Sequence, residues 1–88
     1  MTLELALTAA GYLAEGARRR VVEMENERLR LNTLRRQADF AAQTGNDMAF
    51  KVLCEGMEVV AARIERLDSE RIDFVKAVYQ LRSRFTGQ

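Results

Sequence analysis

The fold is decided by residues 47–84, whose sequence is DMAFKVLCEGMEVVAARIERLDSERIDFVKAVYQLRSR. Apolar side chains recur there in alternating steps of three and four residues, the spacing of a helix with a heptad repeat. They are Phe50, Leu53, Met57, Val60, Ile64, Leu67, Phe74, Val78 and Leu81, with Arg71 as the polar member of the series, and Phe85 continues the spacing directly after this stretch. The pattern predicts a long helix over about residues 47–84.

A turn signal stands immediately before this helix, in the sequence Thr44-Gly45-Asn46-Asp47. Glycine suits the left-handed conformation that follows a helix C-terminus, and Asn46 or Asp47 suits the N-cap of the next helix. A turn at residues 44–46 is short, so it makes the helices on either side antiparallel neighbours.

The residues before the turn carry a second apolar stripe, thinner and richer in alanine. Its members are Leu3, Leu7, Ala10, Ala14, Ala17, Val21, Met24, Leu31 and Ala38, with Arg28 and Arg35 in line and Leu34 and Ala41 beside them. Small side chains facing large ones let two helix axes approach closely. The stripe predicts a first helix over about residues 3–43.

Two glycines interrupt this first pattern, Gly11 and Gly16. Each costs about 1 kcal/mol relative to alanine inside a helix. They predict a kink or break at residues 11–16, and the segment before it then either continues the first helix or forms a short separate one.

Composition assigns the whole chain to the all-α class, as a single domain of residues 1–88. Hydrophobic residues make up 48% and charged residues 31%, proline is absent, and there are five glycines. These values exclude a disordered tail and favour helix bundles. One cysteine and no histidine argue against a disulfide-stapled secreted protein and against a metal site, so the compartment expected is the cytoplasm and no cofactor is expected.

The apolar arc of the second helix is wider than one neighbouring helix covers. At about 100° per residue it sweeps more than half of the circumference, whereas a surface helix shows a stripe of about 100°. We therefore predict a homo-oligomer, with a two-fold dimer forming a four-helix bundle as the favoured arrangement. The residues predicted at the oligomer or partner interface are Ala49, Val52, Gly56, Val59, Ile72, Val75, Tyr79 and Phe85.

Arg28 and Arg71 replace apolar residues in otherwise regular stripes. The favoured interpretation is a paired arginine that fixes the register of the two helices, as polar residues at core positions do in coiled coils. The alternative is a contact with an anion or with a carboxylate of a partner.

The remaining arginines raise the question of nucleic acid. Arg18, Arg19, Arg30 and Arg36 are candidate contacts, and dimeric helical hairpins of the Rop type, which bind RNA, resemble this chain in architecture. The formal net charge is only +1. At 100° per residue Arg18 and Arg36 share one face while Arg19 and Arg30 share another, which is typical of a mixed solvated surface. Nucleic-acid binding is the disfavoured alternative.

The favoured function is protein–protein contact by a small oligomeric adaptor, inhibitor or chaperone. The chain is similar in size and pattern to the short helical-hairpin co-chaperones of type III secretion. It contains no glycine-rich phosphate loop and no histidine to act as a general base, so no enzymatic activity is expected. The apolar start carries Glu4 and Glu15 and is too short to span a bilayer, so no membrane partner is expected.

Overall fold

A computed structural model describes residues 2–85 and the side chains of residues 2–84. It contains two α-helices, α1 (Leu3–Gln43) and α2 (Asp47–Phe85), that pack against each other along their length in a hairpin 63 Å long. The predicted all-α class and helical hairpin are confirmed. The helix α1 runs unbroken through Gly11 and Gly16, so the break at residues 11–16 is not observed.

Caps and a tight turn define the helix ends. Thr2 Oγ1 accepts a hydrogen bond from the Leu5 amide at 3.2 Å, and Asn46 Oδ1 accepts one from the Ala49 amide at 3.1 Å. Gly45 has a φ of 72°, the left-handed conformation that glycine adopts without strain. These side chains bind amides that a helix N-terminus otherwise leaves unpaired.

The helix α2 packs on α1 through the line of residues that the heptad spacing predicted. Val60 and Leu67 are buried. Their neighbours in the series are half-buried from Leu53 to Leu81: Leu53, Met57, Ile64, Arg71, Phe74, Val78 and Leu81. Phe50, the first member of the predicted series, is exposed. Because seven residues make almost two full turns of a helix, residues seven apart on α2 face α1 in the same way.

The contact stripe of α1 differs from the predicted one at alternate positions. One set is as predicted and is buried or half-buried from its second member on: Ala10, Ala17, Met24, Leu31 and Ala38. Its first member, Leu3, is 59% exposed. The other set, Leu7, Ala14, Val21, Arg28 and Arg35, is exposed. The residues one position earlier, Ala6, Leu13, Arg20, Glu27 and Leu34, are buried or half-buried instead, and Ala41 continues their line. The prediction was wrong there because alanines occur on both lines and apolar content does not distinguish them. The observed line contains two charged residues, Arg20 and Glu27, that pair with charges of α2.

Of the glycines within the two helices, Gly16 lies closest to a side chain of the opposite helix. A Cβ atom added to it would lie 2.7 Å from the ring of Phe74, well inside van der Waals contact. The glycine that predicted a helix break therefore makes room for a large side chain of the opposite helix. Gly11, by contrast, has nothing within 4 Å of that position.

Two ion pairs between described residues join the helices. Arg20 Nε lies 3.2 Å from Glu70 Oε1, and Arg63 Nη1 lies 3.3 Å from Glu27 Oε1. In each pair the two residue numbers add to 90, so the pairs fix which levels of α1 and α2 stand side by side.

Candidate interaction surfaces

Much of the apolar side-chain surface of the hairpin is exposed. Within residues 2–84, only six residues are buried, all of them apolar. The exposed large apolar side chains are Leu3, Leu5, Leu7, Tyr12, Val21, Val22, Leu29, Phe40, Met48, Phe50, Val52, Val59, Ile72 and Tyr79. Single exposed apolar residues are ordinary on soluble proteins, but contiguous groups of them mark interaction surfaces.

The total accessible surface is also large for the mass of the chain. It is 6741 Å², whereas a compact monomer of 10.0 kDa exposes about 5,200 Å². The difference, roughly 1,500 Å², falls in the range that one subunit buries in an obligate dimer.

A groove lined mainly by apolar residues lies between the helices where the N-terminal part of α1 meets the C-terminal part of α2. We call it the open-end groove. It is lined by Leu3, Ala6, Leu7, Ala10, Ala14 and Ala17 of α1 and by Val75, Val78, Tyr79, Leu81 and Arg82 of α2. Among the described residues of this lining only Arg82 is charged, so the groove is suited to an apolar helix and offers little to a polyanion.

A smaller apolar surface lies beside the turn. We call it the turn-end patch; Gln37 and Asn46 border it, and its other members are Met48, Ala49, Val52 and Leu53. Val59, seven residues after Val52, continues its line along α2 and is exposed. Val52 and Val59 each come one residue before the buried line of α2, whereas Val75 comes one residue after it. The turn-end patch and the open-end groove therefore lie on opposite flanks of the hairpin.

The predicted interface residues fall into different environments. Val75 and Tyr79 line the open-end groove, with exposed Ile72 one turn earlier on α2. Gly56 faces the Leu34 side chain of its own chain, at 3.7 Å from an added Cβ atom. The predicted contact through the side chain of Phe85 lies outside the described residues.

The two stripe arginines differ in their surroundings. Arg71 is half-buried on the contact line, and its Nε and Nη2 donate to Asp68 Oδ1 of the same helix at 3.0 and 2.9 Å. Arg28 is exposed and lies outside the contact between the helices. The ion pairs that cross between the helices involve Arg20 and Arg63 instead.

Arg18 and Arg19, two of the candidate nucleic-acid contacts, lie beside the carboxylate of Glu15. Arg18 Nε and Nη2 donate to its two oxygens at 2.9 and 2.7 Å, and Arg19 Nε is 3.7 Å away. The hydrogen bond from Arg18 lowers the pKa of Glu15 below its ordinary value. Local carboxylates therefore already partner part of the basic charge of α1.

Arg30 and Arg36 complete the set of candidate nucleic-acid contacts. Arg30 Nη1 lies 3.9 Å from Glu27 Oε1. Arg36 is exposed, and in the part of the chain that the structure describes it has no ion pair. These residues do not line either apolar surface.

Sequence reasoning missed the two residues of α1 that bind α2 by charge. Arg20 donates to Glu70, and its guanidinium carbon also lies 5.0 Å from the centre of the Phe74 ring. Glu27 is largely covered, and its Oε2 has no hydrogen-bond partner. A sequence signal was present, because each charge faces an opposite charge at the level that a hairpin turning at Gly45 brings beside it.

The chain matches no family model, and no curated protein and no solved structure is significantly similar to it. Within the described residues, neither helix is apolar over a stretch long enough to cross a membrane. No group of three potential metal ligands was found among those residues.

Proposed function

We propose that this chain is a small helical adaptor that associates with a second copy of itself and binds a target protein through an apolar helix face. The observation that carries the proposal is the set of exposed large apolar side chains, on a chain whose total accessible surface is roughly 1,500 Å² larger than that of a compact chain of this mass. Burying apolar area stabilises an assembly by about 25 cal/mol per Å², so this surface favours association.

The presence of two separate apolar surfaces supports two kinds of contact, one with a second copy and one with a target protein. The open-end groove and the turn-end patch lie on opposite flanks, so one of them remains accessible while the other is covered. The turn-end patch has Val52 and Val59 seven residues apart, and this spacing suits an amphipathic helix laid along α2. The mode of contact is a helix in a groove.

The test is affinity capture from the native cell with matched variants. Replacement of both Val52 and Val59 by serine removes apolar surface at exposed positions and should abolish capture of the target. The control is Val22→Ser with Leu29→Ser, which changes two exposed apolar residues at the same seven-residue spacing on α1. A target retained by the first variant and lost by the control would contradict the assignment of the turn-end patch.

A Rop-like RNA- or DNA-binding bundle is the second candidate, supported by the exposed arginines Arg28, Arg35 and Arg36. Binding of a polyanion releases counterions, so its affinity falls steeply with the logarithm of the salt concentration. A titration of the purified chain with RNA and DNA at low and high salt separates the candidates. If the chain is an adaptor, we expect no binding of RNA or DNA at low salt. Steeply salt-dependent binding would instead support the nucleic-acid-binding bundle.

A further inference from the structure

The flank of the hairpin that carries the open-end groove also carries unpaired charges. Residues at heptad spacing keep one position relative to the other helix, so Arg28 and Arg35 continue the line of Ala14 and Val21. On α2, Glu58 and Glu65 precede Ile72 and Tyr79 at the same spacing. These charged residues are exposed, and the ion pairs of residues 2–84 include none of them.

We propose that a second copy of the chain docks on this flank, with the two-fold axis parallel to the helices, so that α1 of each copy packs on α2 of the other. The inference rests on the proposed function, which includes self-association, and it adds the surface and the orientation. In this arrangement both helices of the partner lie along the whole flank, forming a four-helix bundle.

The order of residues along the two lines supports this orientation. Inside one hairpin, levels that stand side by side have numbers adding to 90, as in the pairs Arg20 with Glu70 and Glu27 with Arg63. A two-fold axis along the hairpin preserves levels, so each α1 residue meets α2 of the partner at nearly that sum. The facing positions on the two lines have numbers adding to 93, so the members of each pair differ in level by three residues, about 4.5 Å, a distance that neighbouring side chains can span.

The matched positions join apolar residues with apolar residues and arginines with glutamates. The apolar ones are Ala14 with Tyr79 of the partner subunit and Val21 with Ile72 of the partner subunit. The charged ones are Arg28 with Glu65 of the partner subunit and Arg35 with Glu58 of the partner subunit. Each pair occurs twice by symmetry, so the dimer covers the apolar part of the flank and pairs four arginines with four glutamates.

An axis perpendicular to the helices gives a poorer match. It stacks α1 on α1 of the partner in the opposite direction, so Arg28 and Arg35 meet either arginines of the same line or the alanines of the groove. Both outcomes are unfavourable, because like charges repel and a covered arginine without a partner loses its hydration. Charge complementarity therefore selects the parallel axis.

Charge reversal tests the orientation. The acidic variant is Arg28→Glu with Arg35→Glu, and the basic variant is Glu58→Arg with Glu65→Arg. Each alone places like charges in contact across the dimer, and we expect its dissociation constant to rise about 100-fold, measured by sedimentation equilibrium at low salt. Mixed in equal amounts, the two variants should form a heterodimer with nearly the wild-type affinity, because every contact again joins opposite charges.

The control is Arg19→Glu with Arg36→Glu, which changes net charge as the acidic variant does but at exposed positions outside the two lines. It should dimerise like the wild type. Circular dichroism checks that each variant remains helical, and native mass spectrometry counts homodimers and heterodimers in the mixture.

Three results would overturn the proposal in distinguishable ways. A dimeric wild type whose charge-reversed variants dimerise equally well and mix statistically excludes this orientation and leaves the proposed function intact. If the wild type is a monomer and the acidic variant no longer captures the target, this flank binds a different protein and not a second copy. A monomeric wild type that captures no target removes the proposed function as well.

Discussion

Alanines on the contact line between the two helices are covered, whereas leucines that line the open-end groove are exposed. Ala38 and Ala41 are at most 4% exposed, while Leu3 and Leu7 are 59% and 64% exposed. Larger side chains are thus less covered than smaller ones on the same helix. The opposite helix therefore covers the small side chains of the contact line and leaves the leucines of the groove available for a further contact.

Leucine-to-alanine substitutions should break this comparison most strongly. Leu67 is 5% exposed, so Leu67→Ala should lower the free energy of unfolding by about 3 kcal/mol at any protein concentration. Leu7→Ala should change it by less than about 0.5 kcal/mol in dilute solution and lower it at high concentration, where association contributes. Urea unfolding followed by circular dichroism at two concentrations measures both effects. Equal losses from the two substitutions would contradict the contrast.

Two half-buried arginines should differ in their contribution to the hairpin. Arg20 contacts both Glu70 and the Phe74 ring across the helix interface, so Arg20→Ala should destabilise by about 1–2 kcal/mol. Arg71 pairs with Asp68 in its own helix, and its substitution by alanine should change stability by about 0.5 kcal/mol or less. The same urea titration measures both, and a larger loss at Arg71 would reverse the assignment of the register contact.

Alanine substitutions at the two glycines of α1 extend the comparison to the backbone. Gly11→Ala should stabilise by about 1 kcal/mol, because the added methyl group enters open space and the helix propensity improves. Gly16→Ala has the same propensity gain, but its methyl group meets the Phe74 ring and must displace it. We expect no net stabilisation there. Thermal melting of both variants is the measurement, and equal gains would exclude close packing at Gly16.

The smallest effect concerns the exposed pair of Glu15 and Arg18. The hydrogen bond from Arg18 lowers the pKa of Glu15 in the folded chain, so the pair stabilises above the unfolded pKa and loses this effect as the pH falls through the folded one. An NMR titration should find the pKa of the Glu15 carboxyl below its ordinary value and Arg18→Gln should raise it. An unchanged pKa in that variant would show that the hydrogen bond does not persist in solution.

The sequence predicted the fold and half of the contact stripe of α1. Heptad spacing from Phe50 to Leu81 was sufficient for α2, and Gly45 for the turn, because each signal is local. The contact line of α1 was less determined, since alanines occupy two adjacent lines and apolar content alone does not choose between them. Arg20 and Glu27 choose the line by pairing with charges that stand fifty and thirty-six residues away in sequence.

The role of Gly16 lay beyond sequence reasoning for a related reason. Helix propensity treats Gly11 and Gly16 alike, and the ring of Phe74 distinguishes them only after the register of the hairpin is fixed. The candidate surfaces were predicted in part: the exposed members of the wide arc of α2 were identified, but the division into two opposite flanks depends on where α1 lies.

Self-association through the open-end groove is the central claim, and sedimentation equilibrium of the wild type beside Ala14→Glu tests it most directly. Ala14 is exposed and lines the groove, so the glutamate leaves the hairpin folded but places a charge against the apolar surface of a second copy. We expect a mass of about 20 kDa for the wild type, twice that of the chain, and a folded monomer for the variant. A wild type that sediments as a cooperatively folded monomer of 10.0 kDa would contradict the claim.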